Sequence, residues 1–293
     1  MRGDSVATDV ASGWRLAQDA LRDEVRRVTT LLRSIRDPAA PAVGGWNLAE
    51  TAMHLSQVWL VAPGLARRDL SGIYEVMPSL AGTAGDSLIR DIWELADVTN
   101  LGVRSDDERD CSVLADRIEA RAQEYFDECA RSTADELRPW LVEGSTARLS
   151  TLTCYLLNET LVHGYDIARA DKRGWQIEPS HAAMVLAGFI VPVMQALDPR
   201  ALVSDRAAGV RACYDLRIRG GSRFRFVFDD RTLRVDEPSS RRVDCHISAD
   251  PVAFLMVVWG RQSQWKAIAK GRLTAWGRKP WLGPRLRALL RNP

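Results

Sequence analysis

Apolar residues recur at two different periods along this chain of 293 residues, and the change of period limits what the chain can fold into. Up to about residue 197 they recur at three- and four-residue steps, which is the pattern of helices that bury one face. The helices predicted from this pattern cover residues 12–36, 47–68, 107–132, 148–171 and 179–197. From residue 211 onward, short β-rich and partly alternating segments are separated by turn residues such as Gly220-Gly221.

The two periods predict an α plus α+β protein with two domains. Four long helices with one inward face each favour a four-helix bundle in residues 1–200. Residues 201–293 are predicted to form a small α+β domain, with strands and helices at 211–219, 223–228, 232–236, 243–247, 250–258, 263–270 and 272–276. A short helix is placed near Ser87–Leu95. The longest strongly apolar run, Ala182–Met194, is too short to span a bilayer and is interrupted by Pro192, so we expect a buried core helix there.

Composition favours a soluble enzyme of the reducing cytoplasm. The first dozen residues lack an apolar stretch, so no signal peptide and no membrane association are expected. None of the five cysteines lies in a CxxC pair, which makes a disulfide framework or a zinc–cysteine site an unfavoured interpretation. The sequence is compatible with a monomer or a homodimer.

The balance of charged residues changes near residue 200, close to where the period of the apolar residues changes. Residues 201–293 hold 19 Lys and Arg against 8 Asp and Glu, whereas the preceding residues hold 21 against 30. This excess predicts a polyanion partner, two domains that attract each other, or a basic wall for an anionic small molecule. The basic residues are scattered without a recognisable nucleic-acid motif, so nucleic-acid binding is the least favoured of these.

Glu159 and His163 stand at i and i+4 on the fourth long helix and therefore share one face. Leu152 and Leu156 lie on the same face, which is predicted to be buried. A carboxylate and an imidazole are costly in an apolar stripe without a partner, and a metal supplies one. A buried Glu–His hydrogen bond is the alternative.

A third ligand would have to come from another helix, and His54 also lies among apolar residues. Two histidines and a glutamate suit Zn²⁺ or a similar divalent ion and leave a position open for water or substrate. Asp166, one turn after His163, is placed to accept the other ring N–H of that histidine. A core histidine satisfied by hydrogen bonds is the alternative for His54.

Two segments resemble the signatures of the DinB-like mycothiol-dependent maleylpyruvate isomerase family. They are Trp46-Asn47-Leu48-Ala49-Glu50 with His54-Leu55, and Asn158-Glu159 with His163 and Asp166. The C-terminal part resembles the sterol-carrier-like domain of that family, and its segment from Asp250 ends in Gly260-Arg261. The chain departs from the family at Asn47, where Ser or Thr is usual, and in an Arg- and Trp-rich C-terminal part that contains Trp265, Trp276 and Trp281.

The resemblance implies a bundle that binds zinc through His54, Glu159 and His163, with mycothiol as cosubstrate. It also implies an arginine of the C-terminal domain that holds an anionic substrate. We place this role on Arg261, with Arg272 and Arg278 as competitors. The departure in the C-terminal part indicates a pocket different from that for maleylpyruvate.

The function predicted from these residues is a metal-dependent enzyme that uses a low-molecular-weight thiol as an activated thiolate. It would act as a thiol S-transferase or a thiol-dependent cis–trans isomerase on a small, anionic electrophile. One alternative is a metal-dependent hydrolase in which the same ligands activate water. Another is a non-enzymatic carrier whose C-terminal domain binds an apolar ligand.

Overall fold

The computed structural model of the chain describes residues 2–69, 95–140, 145–237 and 242–291. The chain folds into two compact units, Met1–Gln176 and Ile177–Pro293. The sequence places the domain boundary near residue 200, whereas the structure groups the helix that follows Gln176 with the C-terminal unit.

The N-terminal unit consists of long helices joined by short β-hairpins. Its helices are α1 (Arg2–Leu32), α2 (Leu48–Arg67), α3 (Leu95–Ser105), α4 (Cys111–Cys129) and α5 (Leu149–Ala170). Two antiparallel hairpins precede α2 and α5, formed by β1 (Pro41–Val43) with β2 (Trp46–Asn47) and by β3 (Leu137–Pro139) with β4 (Thr146–Arg148).

The predicted inward faces of the four long helices are buried. α1 packs against α4 and α5, and α2 packs against the same two helices. Every residue of the predicted apolar stripe of α1 is buried, namely Trp14, Ala17, Leu21, Val25, Val28 and Leu32. Thr153 joins three helices, because its hydroxyl accepts from the Trp14 indole at 2.7 Å and lies 2.8 Å from the Tyr125 hydroxyl.

Two sequence predictions for this unit differ from the structure, and a third falls almost entirely outside the described residues. The short helix near Ser87–Leu95 lies outside the described residues except for Leu95, where α3 begins. α1 begins near the N-terminus and ends at Leu32, earlier than residue 36. The loop before α5 contains the β3–β4 hairpin, which is too short to produce a periodic sequence pattern.

The C-terminal unit contains a five-stranded sheet whose strands agree closely with the predicted segments. They are β5 (Arg211–Ile218), β6 (Arg223–Asp229), β7 (Leu233–Asp236), β8 (Cys245–Ala249) and β9 (Leu273–Trp276), in the order β7-β6-β5-β8-β9. The pairing is antiparallel except between β5 and β8. The helices are α6 (Pro179–Ala196), α7 (Pro251–Val258), α8 (Gln264–Ala269) and α9 (Leu286–Leu289). The predicted α+β character of this part is therefore confirmed.

The helix α6 is less buried than the sequence predicts. It contains a π-helical turn at Leu186–Ile190, and only 28% of its residues are buried. Among the described residues it is the one helix that is long and apolar enough to cross a membrane. This is weak evidence for a membrane span, because the core helices of soluble proteins share these properties. The prediction of a buried core helix is wrong for most of its residues, since helical periodicity cannot show how much of an apolar helix its neighbours cover.

Candidate metal centre

The helix α2 begins at a capping box that fixes the backbone before His54. The Asn47 side chain accepts from the backbone N–H of Glu50 at 2.9 Å, and the Glu50 carboxylate accepts from the backbone N–H of Asn47 at 2.8 Å. Both bonds satisfy N–H groups that the first turn of a helix leaves without partners. The departure from the family pattern at Asn47 therefore preserves the function of the cap.

The helix α5 carries Glu159 and His163 on a face in contact with the rest of the unit. Leu152 and Leu156 on this helix are fully buried. The polar site residues are nearly buried too, since the side chains of His54, Glu159 and His163 are each 12% exposed. Helical spacing brings Glu159 and His163 together, while packing of α2 against α5 supplies His54.

The three side chains converge on one point. The Nε2 atom of His54 lies 3.5 Å from Oε2 of Glu159, and Nε2 of His163 lies 3.4 Å from the same oxygen. One ligand atom from each residue lies within 4.8 Å of the other two. The two imidazole rings meet edge to face with their centroids 4.6 Å apart.

The donor set and its spacing fit a divalent metal. Ligand atoms at ~2.1 Å from one tetrahedral ion are ~3.4 Å apart, so the two measured nitrogen–oxygen separations agree with a shared ion. Two imidazoles and one carboxylate form the combination that borderline ions such as Zn²⁺ accept, and three protein ligands leave a coordination position open. Among the described residues, His54, Glu159 and His163 therefore form a group that could hold a metal.

The charges in the cluster depend on each other. Burial alone would raise the pKa of Glu159, but hydrogen bonds from His163 and His54 hold the pKa of this carboxyl well below its usual range. Burial lowers the pKa of His54. Burial also opposes a charge on His163, yet Asp166 and Glu159 raise the pKa of this imidazole to about 9.

Several neighbours contact the three residues of the cluster. Asp166 is buried, and its Oδ2 lies 3.3 Å from Nδ1 of His163, a charge contact that does not satisfy hydrogen-bond geometry at this nitrogen. The Trp46 ring lies against His54 with centroids 5.3 Å apart, and the Asn158 amide donates to Glu159 at 3.1 Å. No role was predicted for Trp46 or Asn158 from the sequence, although both stand in the two family-like segments.

Gly164, directly after His163, allows close packing against α5. A Cβ atom at this position would lie 2.6 Å from the Trp175 ring, well inside contact distance. This requirement was not predicted from the sequence. Its only sequence signal is a glycine within an otherwise strong helical pattern.

The candidate arginines lie in the C-terminal unit, and their role stays a prediction. Gly260 ends α7 with a φ of +69°, so that Arg261 donates its backbone N–H to Met256 at 2.8 Å. The half-buried Arg261 side chain donates to the Trp259 carbonyl at 2.7 Å. Arg272 is exposed, and Arg278 lies 3.3 Å from Asp244.

Comparisons with known proteins give one family model and a set of similar structures. Residues 194–278 match the SCP-2 sterol transfer family. A comparison with curated protein sequences gives no match. The crystal structure of the mycothiol-dependent maleylpyruvate isomerase is similar over 89% of this chain and 92% of its own, with a TM-score of 0.51 and 10% identity.

A histidine-to-alanine mutant of that isomerase gives the same coverage and identity with a TM-score of 0.52. At this identity the likeness establishes a shared fold and leaves the reaction open. The resemblance seen in the two sequence segments is thereby confirmed at the level of the fold. The chain carries a C-terminal SCP-2 domain and has the fold of the mycothiol-dependent maleylpyruvate isomerase over most of its length.

Proposed function

We propose that this protein is a metal-dependent enzyme that uses a low-molecular-weight thiol of the mycothiol class as its nucleophile. The observation that carries the proposal is the convergence of His54, Glu159 and His163 on one point. The fold shared with a mycothiol-dependent enzyme supports the thiol as cosubstrate. We propose further that α1, α2, α4 and α5 form a DinB-like four-helix bundle and that the bound ion is Zn²⁺.

The residues of the chain have distinct roles in this proposal. The Nε2 atoms of His54 and His163 and the Glu159 carboxylate would hold the metal, which lowers the pKa of a coordinated thiol and so supplies the thiolate. Asp166 orients His163 from its other ring nitrogen. Trp46 packs against His54 and limits its rotation.

Two reaction classes follow from the same nucleophile. A thiolate that adds to a conjugated C=C bond allows rotation about the former double bond, and its departure regenerates the alkene as the other isomer. A thiolate that stays bound to the carbon after another group leaves gives a thioether, which is S-transfer. In both classes Arg261 is the residue proposed to hold a carboxylate of the substrate.

The decisive experiment compares His54→Ala with His181→Ala, a histidine outside the cluster. Metal content is measured by elemental analysis, and turnover is measured with mycothiol and an α,β-unsaturated carboxylate. We expect His54→Ala to lose bound metal and turnover while its circular dichroism spectrum stays unchanged, because two remaining ligands hold the ion poorly. Full turnover in His54→Ala, or in metal-stripped protein, would refute the proposal.

A metal-dependent hydrolase is the enzymatic alternative, because the same ligands can activate water. Turnover assays with and without mycothiol distinguish the two. An ester or amide substrate that is cleaved equally well without the thiol would favour the hydrolase.

A carrier of apolar molecules is a second candidate function, supported by a cavity in the C-terminal unit. The cavity has a volume of about 430 Å³, and its walls include Ile247, Phe254, Val257, Ile268 and Leu273. The match to the SCP-2 sterol transfer family covers most of this unit. A purified protein that retains lipid but contains no metal would favour the carrier over the enzyme.

A further inference from the structure

The C-terminal segment of the chain has an unusual charge pattern. Residues 251–293 contain nine Lys and Arg and no Asp or Glu. Two of the nine, Arg278 and Lys279, lie close to Asp244, which precedes this segment. Four others are exposed to solvent and form no ion pair with any residue in the described part of the chain: Lys266, Lys270, Arg272 and Arg285.

Two tryptophans stand beside these cations with most of their side chains in solvent. Trp265 and Trp281 are each 62% exposed, whereas Trp59 in the N-terminal unit is fully buried. A single exposed apolar residue is ordinary on a protein surface. Two exposed tryptophans within one segment that lacks acidic residues are a more specific sign of a binding surface than a single exposed apolar residue.

The exposed side chains lie in or next to two short helical segments, each of which also contains a buried residue. On α8 the residue Ala267 is buried, while Trp265 and Lys266 are exposed, as is Lys270 directly after the helix. On the 3₁₀ helix Pro280–Arg285 the residue Leu282 is buried, while Trp281 and Arg285 are exposed.

The two helices that carry the tryptophans are joined beside the apolar cavity. The Gln264 amide donates to the Pro284 carbonyl at 3.2 Å, and both residues line the cavity. Trp265 directly follows Gln264, and Trp281 directly follows Pro280, another lining residue. We call Trp265, Lys266, Lys270, Trp281 and Arg285 the Trp–Lys face.

We propose that the Trp–Lys face docks this protein onto an anionic membrane surface. Indole rings favour the boundary between lipid headgroups and hydrocarbon, where their apolar area is buried and the ring N–H stays hydrated. Basic residues are attracted to anionic headgroups, and no neighbouring carboxylate of the segment opposes this attraction. The adjoining cavity would then lie beside the lipid.

This inference differs from the sequence-based expectation that the protein has no membrane association. That expectation rests on the absence of a signal peptide and of a spanning segment, neither of which bears on peripheral docking. The Trp–Lys face depends on which side chains the C-terminal unit leaves exposed.

The test is sedimentation of the full chain with phosphatidylcholine vesicles that contain or lack phosphatidylglycerol. We expect binding only to the vesicles that contain the anionic lipid, and loss of this binding at high salt. Lys266→Ala with Lys270→Ala should weaken it by about 25-fold, since each basic residue contributes about fivefold at such a surface. Arg15→Ala with Arg104→Ala, two exposed cations of the N-terminal unit, removes the same charge and should have little effect.

The tryptophans distinguish membrane docking from simple charge attraction. Trp265→Ala with Trp281→Ala should abolish vesicle binding, whereas Trp276→Ala should not, because the Trp276 ring is stacked on His246. If the double variant is poorly folded, Trp265→Ala is tested alone. The blue shift of tryptophan fluorescence that accompanies binding to vesicles should then be smaller in this variant than in the wild type.

Three results would overturn the inference: equal binding to neutral and anionic vesicles, wild-type binding by Trp265→Ala, or tighter binding to DNA than to anionic vesicles. The last would identify a nucleic acid as the partner. Metal content and turnover of the Lys266→Ala, Lys270→Ala double variant should match those of the wild type, so the docking inference and the proposed enzyme can fail independently.

Discussion

Asp166 is the residue that best distinguishes the two interpretations of the cluster, a metal site and a buried Glu–His hydrogen bond. Its carboxylate lies beside Nδ1 of His163, whereas Nε2 of the same ring faces Glu159. A carboxylate in this position keeps the far nitrogen of the imidazole basic and directed at a metal. In a metal-free cluster it would serve only to stabilise a protonated His163.

We predict that Asp166→Asn lowers Zn²⁺ affinity by about 10- to 100-fold, the usual effect of removing a partner of a ligating histidine. Competition with a chromogenic chelator measures the change. Asp171→Asn is the matched control, because Asp171 is a buried carboxylate at the end of the same helix and interacts with Arg173. Equal affinity in Asp166→Asn and the wild type would contradict the assigned role.

His163 provides a second prediction at this scale. Its raised pKa of about 9 means that the metal-free protein holds a proton on this imidazole at neutral pH, whereas His54, with its lowered pKa, stays neutral. Metal binding must displace that proton. Zn²⁺ affinity should therefore rise by about tenfold per pH unit as the pH increases toward 9.

Isothermal titration calorimetry in buffers of different ionisation enthalpy counts the released protons. One proton is expected at about pH 7, and none well above the pKa of His163. Zn²⁺ binding without proton release near neutral pH would show that His163 is neutral in the metal-free protein.

Among the elements, β5 depends on one buried carboxylate. Asp215 is completely buried and receives hydrogen bonds from Arg217, Arg223 and His246, while Arg225 forms a further ion pair with it. Burial alone would raise the pKa of Asp215, but the hydrogen bonds from Arg223, His246 and Arg217 hold it well below the usual range. The carboxylate thus neutralises cations from two adjacent strands.

We predict that Asp215→Asn lowers the free energy of unfolding by about 3–5 kcal/mol, because it removes the buried charge with which Arg225 pairs. Asp229→Asn, which breaks an exposed pair with Arg211, should cost less than about 1 kcal/mol. Urea unfolding of both variants measures the difference.

The stability lost in Asp215→Asn should itself depend on pH. Because the folded-state pKa of Asp215 lies below its unfolded value, its contribution is complete above about pH 4 and declines as the pH falls below this value. The wild type and the variant should therefore converge on acidification. A difference that stays constant down to low pH would show that lost packing, and not lost charge, causes the destabilisation.

For the whole molecule, the proposed metal links helices that are far apart in sequence. One ligand comes from α2 and two from α5, so an ion that binds only the folded state stabilises their packing. At about 100 times its Kd, free Zn²⁺ should add about 2.7 kcal/mol to the free energy of unfolding.

Chelation should therefore lower the temperature at which the wild type unfolds, and His54→Ala should show no response to chelator or added Zn²⁺. Differential scanning calorimetry gives both values. His181→Ala serves as the control and should respond like the wild type. A chelator response that persists in His54→Ala would place the stabilising metal elsewhere.

At this scale, most elements of the fold could be predicted from the sequence. The helices α2, α4 and α5 and all five strands of the C-terminal sheet lie where periodicity and turn residues predict them. The short hairpins β1–β2 and β3–β4 could not be predicted, because strands of two or three residues produce no period. The burial of α6 was predicted wrongly, since an apolar helix has the same pattern whether its neighbours cover all or part of it.

The sequence by itself determined that Glu159 and His163 are neighbours, because a helix brings residues i and i+4 to one face through local hydrogen bonds. Spacing alone did not join His54 to them, and family resemblance supplied that expectation. Only the tertiary structure decided that Nε2 of His54 lies 3.5 Å from the Glu159 carboxylate, since this contact depends on the packing of α2 against α5. It also decided which tryptophans are buried and which are exposed, because burial depends on contacts between segments that are distant in the chain.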